Sequence, residues 1–131
     1  MAGINVVLAD DQPLSLIGMR TAIADQGDIR ILAECQNPIC LAEAVRHRRP
    51  DVLLVNATLL HDEFGALKQL VSQSEKTRVI VITSHKERQF LDDALRCGAK
   101  GVIQTECSVE MIPSAIRKVT LGGVWLERVA A

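Results

Sequence analysis

Two adjacent carboxylates, Asp10 and Asp11, follow the first apolar segment of the chain and are the residues best suited to chemistry. Neighbouring carboxylates repel each other unless something positive lies between them, and a hard cation such as Mg²⁺ prefers such oxygen ligands. Later apolar segments end at Asn56, Thr83 and Thr105. If these segments are neighbouring strands, their ends form one polar pocket. Alternatively, the two aspartates are a solvated pair that caps the following helix.

Short β-branched segments alternate with helical patterns along the whole chain. Several of these segments are apolar throughout, as expected of strands that are covered on both faces of a parallel sheet. The alternation predicts an α/β fold with a doubly wound five-stranded parallel sheet, whose sites form beyond the carboxyl ends of the strands. The predicted strands are 4–9, 29–34, 51–55, 78–83 and 101–104, and the predicted helices are 13–26, 38–48, 63–74, 86–97 and 108–121.

The composition excludes several classes of protein. With 131 residues the chain predicts one domain, and 15 basic against 16 acidic residues lack the basic excess of a nucleic-acid-binding domain. No apolar run is long enough to span a bilayer and no export signal is present, so we expect a cytoplasmic protein without membrane contact. The four cysteines contain no C-x-x-C pair and are expected to be reduced, inert thiols. A Cys97–Cys107 redox pair is the less favoured alternative.

The motifs of common nucleotide and hydrolase sites are absent from the sequence. It contains no G-x-G-x-x-G, no G-x-x-x-x-G-K-[ST] and no G-x-S-x-G. A dinucleotide site, a P-loop and a serine hydrolase elbow are therefore excluded. No nucleophile with a matching base is evident, so we expect no enzyme activity.

Four blocks of sequence carry a family resemblance. V-V-L-A-D-D-Q-P, P-D-V-L-L-V-N, V-I-V-I-T-S-H and G-A-K-G-V-I-Q-T resemble the response-regulator receiver domain (CheY-like), in the right order and spacing. P-L-x-x-x-G-M-R and A-I-R-K-V-x-x-G-G-V-W-L resemble the NarL/LuxR type of transcription regulator. The resemblance implies a flavodoxin-like (βα)5 receiver fold with strand order 2-1-3-4-5.

The resemblance also implies roles for the residues at the strand ends. In such receivers an aspartate after strand three accepts a phosphoryl group, and an acidic pair holds Mg²⁺. A hydroxyl after strand four and a lysine after strand five then contact the phosphoryl group. Asp10 and Asp11 match the acidic pair, and Thr83 matches the hydroxyl.

Other positions depart from the family pattern. Asn56 stands where the phospho-acceptor is expected, Thr105 where the lysine is expected and Val102 where an aromatic switch residue is usual. An amide is a poor nucleophile and cannot form an acyl phosphate. An engineered exchange would explain Asn56 alone but not the other departures. The sequence therefore predicts a degenerate, phosphorylation-independent receiver with no catalytic residue, whose Asp10 and Asp11 retain at most a weak Mg²⁺ site.

The resemblance further implies a regulator that is longer than this chain. Residues 1–125 match the receiver, and 126–131 are expected to begin a linker to a C-terminal helix-turn-helix domain. DNA binding would then need that domain. The open alternative is a stand-alone pseudo-receiver that binds a small-molecule or protein regulator.

The first and last helices form a common two-fold dimer face in the resembling family. Leu16 and Ile17 are predicted to point outward from the first helix, with Met111 and Lys118 on the last, which favours a homodimer. They are alternatively ordinary scattered surface residues. Pro113 lies inside the last predicted helix, so that helix is expected to begin at Pro113 or to be kinked there.

Overall fold

The sheet of the protein is parallel and has six strands in the order β2-β1-β3-β4-β5-β6. The computed structural model describes residues 3–61, 63–107 and 109–126. The predicted doubly wound architecture and the strand order 2-1-3-4-5 are confirmed. The strands are β1 (Ile4–Ala9), β2 (Ile29–Cys35), β3 (Val52–Asn56), β4 (Arg78–Thr83), β5 (Gly101–Gln104) and β6 (Trp125–Leu126).

β6 is the strand that the sequence pattern did not predict. A strand of two residues is too short to show an alternating apolar pattern in the sequence. Trp125 N nevertheless donates to Lys100 O at 3.0 Å, and Leu126 pairs with Val102. Leu126 is therefore part of the sheet and not of the predicted linker. Residues 127–131, the rest of that predicted linker, lie outside the described residues.

Within the described ranges, five helices cover the sheet, and most are shorter than predicted. α2 keeps its predicted bounds because Asn37 caps it, with the Asn37 side chain accepting from Cys40 N at 2.8 Å. None of the described helices combines the length and hydropathy that a membrane crossing requires. The helices are α1 (Pro13–Ile23), α2 (Pro38–Arg48), α3 (Phe64–Gln73), α4 (Arg88–Arg96) and α5 (Met111–Thr120), and a 3-10 turn spans Ala57–Leu60.

The last helix does not begin at Pro113. α5 begins at Met111, which places Pro113 in its first turn. The N–H groups of a first turn have no intrahelical acceptor, so a proline there costs no hydrogen bond. The expected start at Pro113 is therefore wrong, and a proline in the first turn removes no hydrogen bond that would have to be broken by a kink.

The sheet has a hydrophobic core on each face because successive side chains of a strand alternate. Val7, Leu53 and Val81 belong to the core under α2, α3 and α4, whereas Leu54 and Ile80 belong to the core under α1 and α5. The same alternation applies to the polar residues at the ends of the strands. It decides which of them meet at the carboxyl edge.

α5 is also tied to the turn between α1 and β2. Arg117 Nε donates to Asp28 Oδ2 at 2.8 Å, and the same guanidinium donates to Gln26 Oε1. The Arg117 side chain beside Asp28 lowers the pKa of that carboxyl.

Candidate functional site

The ends of β1 and β3 bring Asp10 and Asn56 together. The two strands pair in parallel with Ala9 opposite Val55. Asp10 follows Ala9 and Asn56 follows Val55, so these two side chains lie on the same face of the sheet. Asn56 Nδ2 donates to Asp10 Oδ2 at 3.0 Å. The amide that replaces the expected carboxylate therefore turns its donor towards the first aspartate.

Asp10 is fully buried and has a partner for each of its oxygens. Its Oδ1 atom accepts from Gln12 N at 2.9 Å, and its Oδ2 atom accepts from Asn56. Burial disfavours the charged carboxylate and raises the pKa of Asp10, and the hydrogen bonds from Gln12 and Asn56 offset part of that rise.

Thr58 links the second aspartate to the same group of side chains. Its hydroxyl lies 2.9 Å from Asp11 Oδ1 and 3.1 Å from Asn56 Oδ1, and its backbone N–H donates to Asn56 Oδ1 at 3.1 Å. Asn56 thereby caps the 3-10 turn that follows β3. We call Asp10, Asp11, Asn56 and Thr58 the Asp–Asn network.

Sequence reasoning missed Thr58, although a signal was present. An Asn that ends a strand often bonds the backbone N–H two residues later, which predicts a turn at this position. That turn carries the Thr58 hydroxyl back over the strand ends. The contact with Asp11 follows from the turn.

These residues fit a magnesium ion poorly as they are arranged. Mg²⁺ requires oxygen ligands, but the donor group of Asn56 faces Asp10, and Asp11 already accepts from Thr58. Among the residues that the structure describes, no three or more His, Cys, Asp or Glu side chains gather into a metal-binding group. Weak Mg²⁺ binding by Asp10 and Asp11 stays a prediction.

The ends of β4 and β5 are joined through the backbone. Thr105 N donates to Thr83 O at 2.9 Å. The Thr83 side chain is buried on the other side of the sheet from Asn56, and its hydroxyl accepts from His85 N at 3.0 Å. The expectation that all four strand ends converge on one pocket is wrong for Thr83, because alternation along β4 turns it away.

A cleft of about 180 Å³ opens where Thr105 replaces the expected lysine. Asp10, Asn56 and Thr105 line it together with residues of α1. Asp10 is the one charged side chain among the described residues that line the cleft. The other lining residues are Ser15, Gly18, Met19, Ile82, Ile103, Gln104, Cys107, Val109 and Ile112.

Val102, which stands at the position of the aromatic switch, is fully buried. It packs in the core under α2, α3 and α4. A valine has no ring to swing between an inward and an outward position. The side chain is therefore a fixed part of the core.

The residues predicted for a dimer face divide into two groups. Ile17 is 46% exposed and Met111 is 37% exposed, whereas Leu16 is only 3% exposed and packs in the core under α1 and α5. The prediction that Leu16 points outward is wrong because Leu16, and not Ser15, shares the buried stripe of α1. Lys118 is exposed, and its Nζ lies 5.8 Å from the centre of the Trp125 ring.

The structure also excludes the alternative redox pair, Cys97 and Cys107. Cys97 packs against the core under α2, α3 and α4, whereas Cys107 packs against the core on the opposite face. The sheet separates the two thiols. A Cys97–Cys107 bridge is therefore incompatible with this fold.

Comparison with known proteins places the chain in a family. Residues 6–117 match the family model described as the response regulator receiver domain. The chain is 26% identical to the oxygen regulatory protein NreC of Staphylococcus carnosus (strain TM300) over 124 residues. That alignment covers 93% of this chain and 57% of NreC, so the chain spans little more than half the length of this relative.

Solved structures with the same fold include receiver domains of related regulators. The signal receiver domain of the response regulator NarL from Mycobacterium tuberculosis has a TM-score of 0.85 at 25% identity, covering 93% of this chain and 99% of that one. The isolated receiver domain of RcsB from Salmonella enterica serovar Typhimurium, in the apo form, has a TM-score of 0.88 at 19% identity, covering 95% and 92%. Together with the matched family model, the parallel sheet and the acidic pair at its carboxyl edge, these similarities show that the chain belongs to the response regulator receiver domain family, among relatives of the NarL/LuxR type.

Proposed function

We propose that this receiver domain works without phosphorylation, as the cytoplasmic regulatory module of a transcription regulator. The observation that carries the proposal is the hydrogen bond from Asn56 Nδ2 to Asp10 Oδ2 at 3.0 Å. An amide at this position supplies no nucleophile for a phosphoryl group, and its donor satisfies the buried aspartate without a cation. The proposal assigns the chain no catalysis of its own.

Incubation with labelled acetyl phosphate and Mg²⁺ tests this proposal. We expect no base-labile label on the wild-type domain, because neither Asn56 nor a neighbouring group forms an acyl phosphate. The Asn56→Asp variant is treated in parallel. If only this variant is labelled, the side-chain amide of Asn56 is what prevents phosphorylation of the wild type. Stoichiometric label on wild-type Asp10 or Asp11 would contradict the proposal.

Regulation without phosphorylation needs another input, and dimerisation through α1 and α5 is the one that we favour. Ile17 and Met111 are exposed apolar residues on these helices, and Val109, just before α5, is 52% exposed. Val109 also lines the cleft together with Gly18, so the start of α5 lies against α1. Exposed apolar residues on two helices that contact each other favour a protein partner, here a second copy of the chain.

The oligomeric state tests this face. We expect the Ile17→Glu variant to be a folded monomer by light scattering at concentrations at which the wild type is a dimer. Ile39→Glu on α2, where Ile39 is 75% exposed, is the matched control and should leave the dimer intact. A wild-type domain that stays monomeric at high concentration would contradict dimerisation by this domain alone.

DNA binding enters the proposal only through a further domain. The chain spans 57% of the length of NreC, and a structure of RcsB is described as bound to the promoter rprA. By analogy, the linker that we expect to start after residue 126 would lead to a DNA-binding domain. The net charge of −1 of this chain agrees with a module that does not itself contact DNA.

The cleft supports a second candidate function, the binding of a small-molecule regulator. It is lined mainly by apolar side chains such as Met19 and Ile103, with Asp10 and Thr105 as polar groups. This combination suits a small, mostly apolar molecule with a hydrogen-bond donor. A protein partner at this site is a further alternative.

A thermal-shift screen of a metabolite library tests the ligand hypothesis. A side chain at Gly18 would enter open space in the cleft, because no atom of the described residues lies within 4 Å of its Cβ position. The Gly18→Leu variant should therefore fold, and its melting temperature should not change with a compound that raises that of the wild type. Gly65→Leu on α3, where the Cβ position is equally open, is the matched control and should show the same rise as the wild type. A shift that Gly18→Leu leaves unchanged would exclude the cleft as the site.

A further inference from the structure

Two cysteines outside the strand-end site, Cys35 and Cys40, have their sulfur atoms 2.8 Å apart. Cys35 is the last residue of β2, and Cys40 lies in the first turn of α2. The short turn between them is held by the Asn37 cap, which accepts from Cys40 N. A disulfide bond is about 2.05 Å long, so only a small approach separates this pair from a covalent link.

The two thiols differ in their access to solvent. Cys35 is fully buried in the core under α2, α3 and α4, whereas Cys40 is partly exposed. Burial, reinforced by the neighbouring Cys40, raises the pKa of the Cys35 thiol to about 12. A dissolved oxidant therefore meets Cys40 first, while Cys35 stays protonated behind it.

We propose that Cys35 and Cys40 form a reversible disulfide when a hydroperoxide oxidises Cys40. In the first step the Cys40 sulfur attacks the peroxide, the O–O bond breaks, and a sulfenic acid and one molecule of water (or alcohol) form. In the second step the Cys35 sulfur attacks the sulfenic sulfur, the S–S bond forms, and the S–O bond breaks. The departing hydroxide takes the Cys35 proton as water. The two thiols supply the two electrons, and a dithiol reductant reverses the change.

The position of the pair gives the link a structural consequence. The Cys35 carbonyl accepts from Asp10 N at 3.0 Å, so the end of β2 is hydrogen-bonded to the first residue of the Asp–Asn network. A covalent bond from Cys35 to α2 would fix the end of β2 beside Asp10. This inference concerns a different set of atoms from the proposed function and does not depend on it.

Peptide mapping after peroxide treatment tests the proposal with the intact domain. The reduced protein is exposed to hydrogen peroxide, the oxidant is removed, the remaining thiols are alkylated with N-ethylmaleimide while the protein is unfolded, and the protein is digested with trypsin. Cleavage after Arg30 and Arg46 releases peptide 31–46, which contains Cys35 and Cys40 but neither Cys97 nor Cys107. We expect this peptide to lose two hydrogen atoms and both alkylation sites, and to regain them after dithiothreitol.

Two variants separate this mechanism from general oxidation. Cys40→Ser should abolish the internal link in peptide 31–46, whereas Cys97→Ser, the matched control, should leave it unchanged. Cys35→Ser should stop the reaction at a sulfenic acid on Cys40 that dimedone traps. The proposal is overturned if peroxide modifies Cys97 or Cys107 while peptide 31–46 keeps both thiols. Stable oxygen addition at Cys40 of the wild type without the link would also overturn it.

Discussion

The β1–β3 half and the β4–β5 half of the sheet's carboxyl edge differ in how their polar groups are satisfied. In the first half, side chains bond side chains: Asn56 donates to Asp10, and the Thr58 hydroxyl lies within hydrogen-bond distance of Asp11. In the second half, the strands are joined by a backbone hydrogen bond between Thr105 and Thr83, and the Thr105 side chain borders the cleft. The first half is closed, and the second is open.

This difference separates two departures from the family pattern that look alike in the sequence. The charge that is missing at Asn56 is compensated by hydrogen bonds within the protein. Thr105 is shorter than the family lysine that it replaces, and the cleft lies beside it. The closed half should therefore resist restoration of the family residue, whereas the open half should accept it.

The largest expected effect is that of Asn56→Asp in the closed half. The new carboxylate would face Asp10 Oδ2 across about 3 Å, where two like charges cannot both ionise without cost. We expect the free energy of unfolding in EDTA at neutral pH to fall by about 1–3 kcal/mol, because a hydrogen bond is replaced by a repulsion. Added Mg²⁺ should restore much of the loss, since the variant offers three carboxylates. Urea unfolding with and without Mg²⁺ measures both effects.

A matched substitution tests whether this effect is specific to the site. Asn37 also caps a helix, but Asp and Asn are about equally good at an N-cap. Asn37→Asp should leave stability nearly unchanged and independent of Mg²⁺. If Asn56→Asp is as stable as the wild type in EDTA, the closed half is not held by the Asn56–Asp10 hydrogen bond.

The next largest effect is expected from Thr105→Lys in the open half. The cleft has room for the longer side chain, and its ammonium group would lie near Asp10, the charged residue of the lining. We expect a gain in stability of up to about 1 kcal/mol at neutral pH, reduced by high salt. Thr105→Met fills similar space without a charge and is the control. An equal gain for Met and Lys would show that the space, and not the charge, is what the open half lacks.

Sequence reasoning predicted the architecture well because the strands carry strong local signals. Near-continuous apolar segments of β-branched residues and leucine, such as 52–55 and 79–82, are typical of buried strands in a parallel sheet. The helix ends were less well predicted, because a stop signal such as Gly27 does not always follow directly on the last helical residue. α1, for example, ends at Ile23 rather than at residue 26.

The details of the site were harder to predict because they depend on packing direction. For α1 the pattern predicts that Leu16 points outward, yet Leu16 is buried together with Met19 and Ile23 at helical spacing. The direction of Thr83 follows from alternation along β4 and was overlooked. The contact between Cys35 and Cys40 could not be predicted, because it depends on how the Asn37 cap places α2 against β2.

A smaller effect is expected in the titration of two aspartates. Burial raises the pKa of Asp10 above the ordinary value of 3.8, whereas Arg117 lowers the pKa of Asp28 below it. The Asp28 contribution to stability should thus be present above pH 3.8 and be lost as the pH falls through its folded pKa. The Asp10 contribution has the opposite sign: it is present below pH 3.8 and is lost as the pH rises through its raised pKa.

Carbon-detected NMR titration of the carboxyl groups measures both aspartates. We expect the Asp10 midpoint above 3.8 and the Asp28 midpoint below it. Arg117→Gln is the control and should raise the Asp28 midpoint while leaving that of Asp10 in place. An Asp10 midpoint below 3.8 would mean that the hydrogen bonds of the closed half outweigh the burial of its carboxylate.

The smallest effect is expected at Gln104, at the end of β5 in the open half. Its Nε2 group donates to His85 O at 2.7 Å, but its Oε1 atom is buried and has no hydrogen-bond partner among the residues that the structure describes. Gln104→Leu removes both groups, and the partly exposed His85 carbonyl can turn to water instead. Because an unpaired buried acceptor costs about as much as one good hydrogen bond contributes, we expect a gain in unfolding free energy of less than about 1 kcal/mol. Gln104→Glu keeps the shape, loses the donor and buries a charge, so it should destabilise clearly. A large loss for Gln104→Leu in urea unfolding would show that the open half depends on side-chain hydrogen bonds as much as the closed half does.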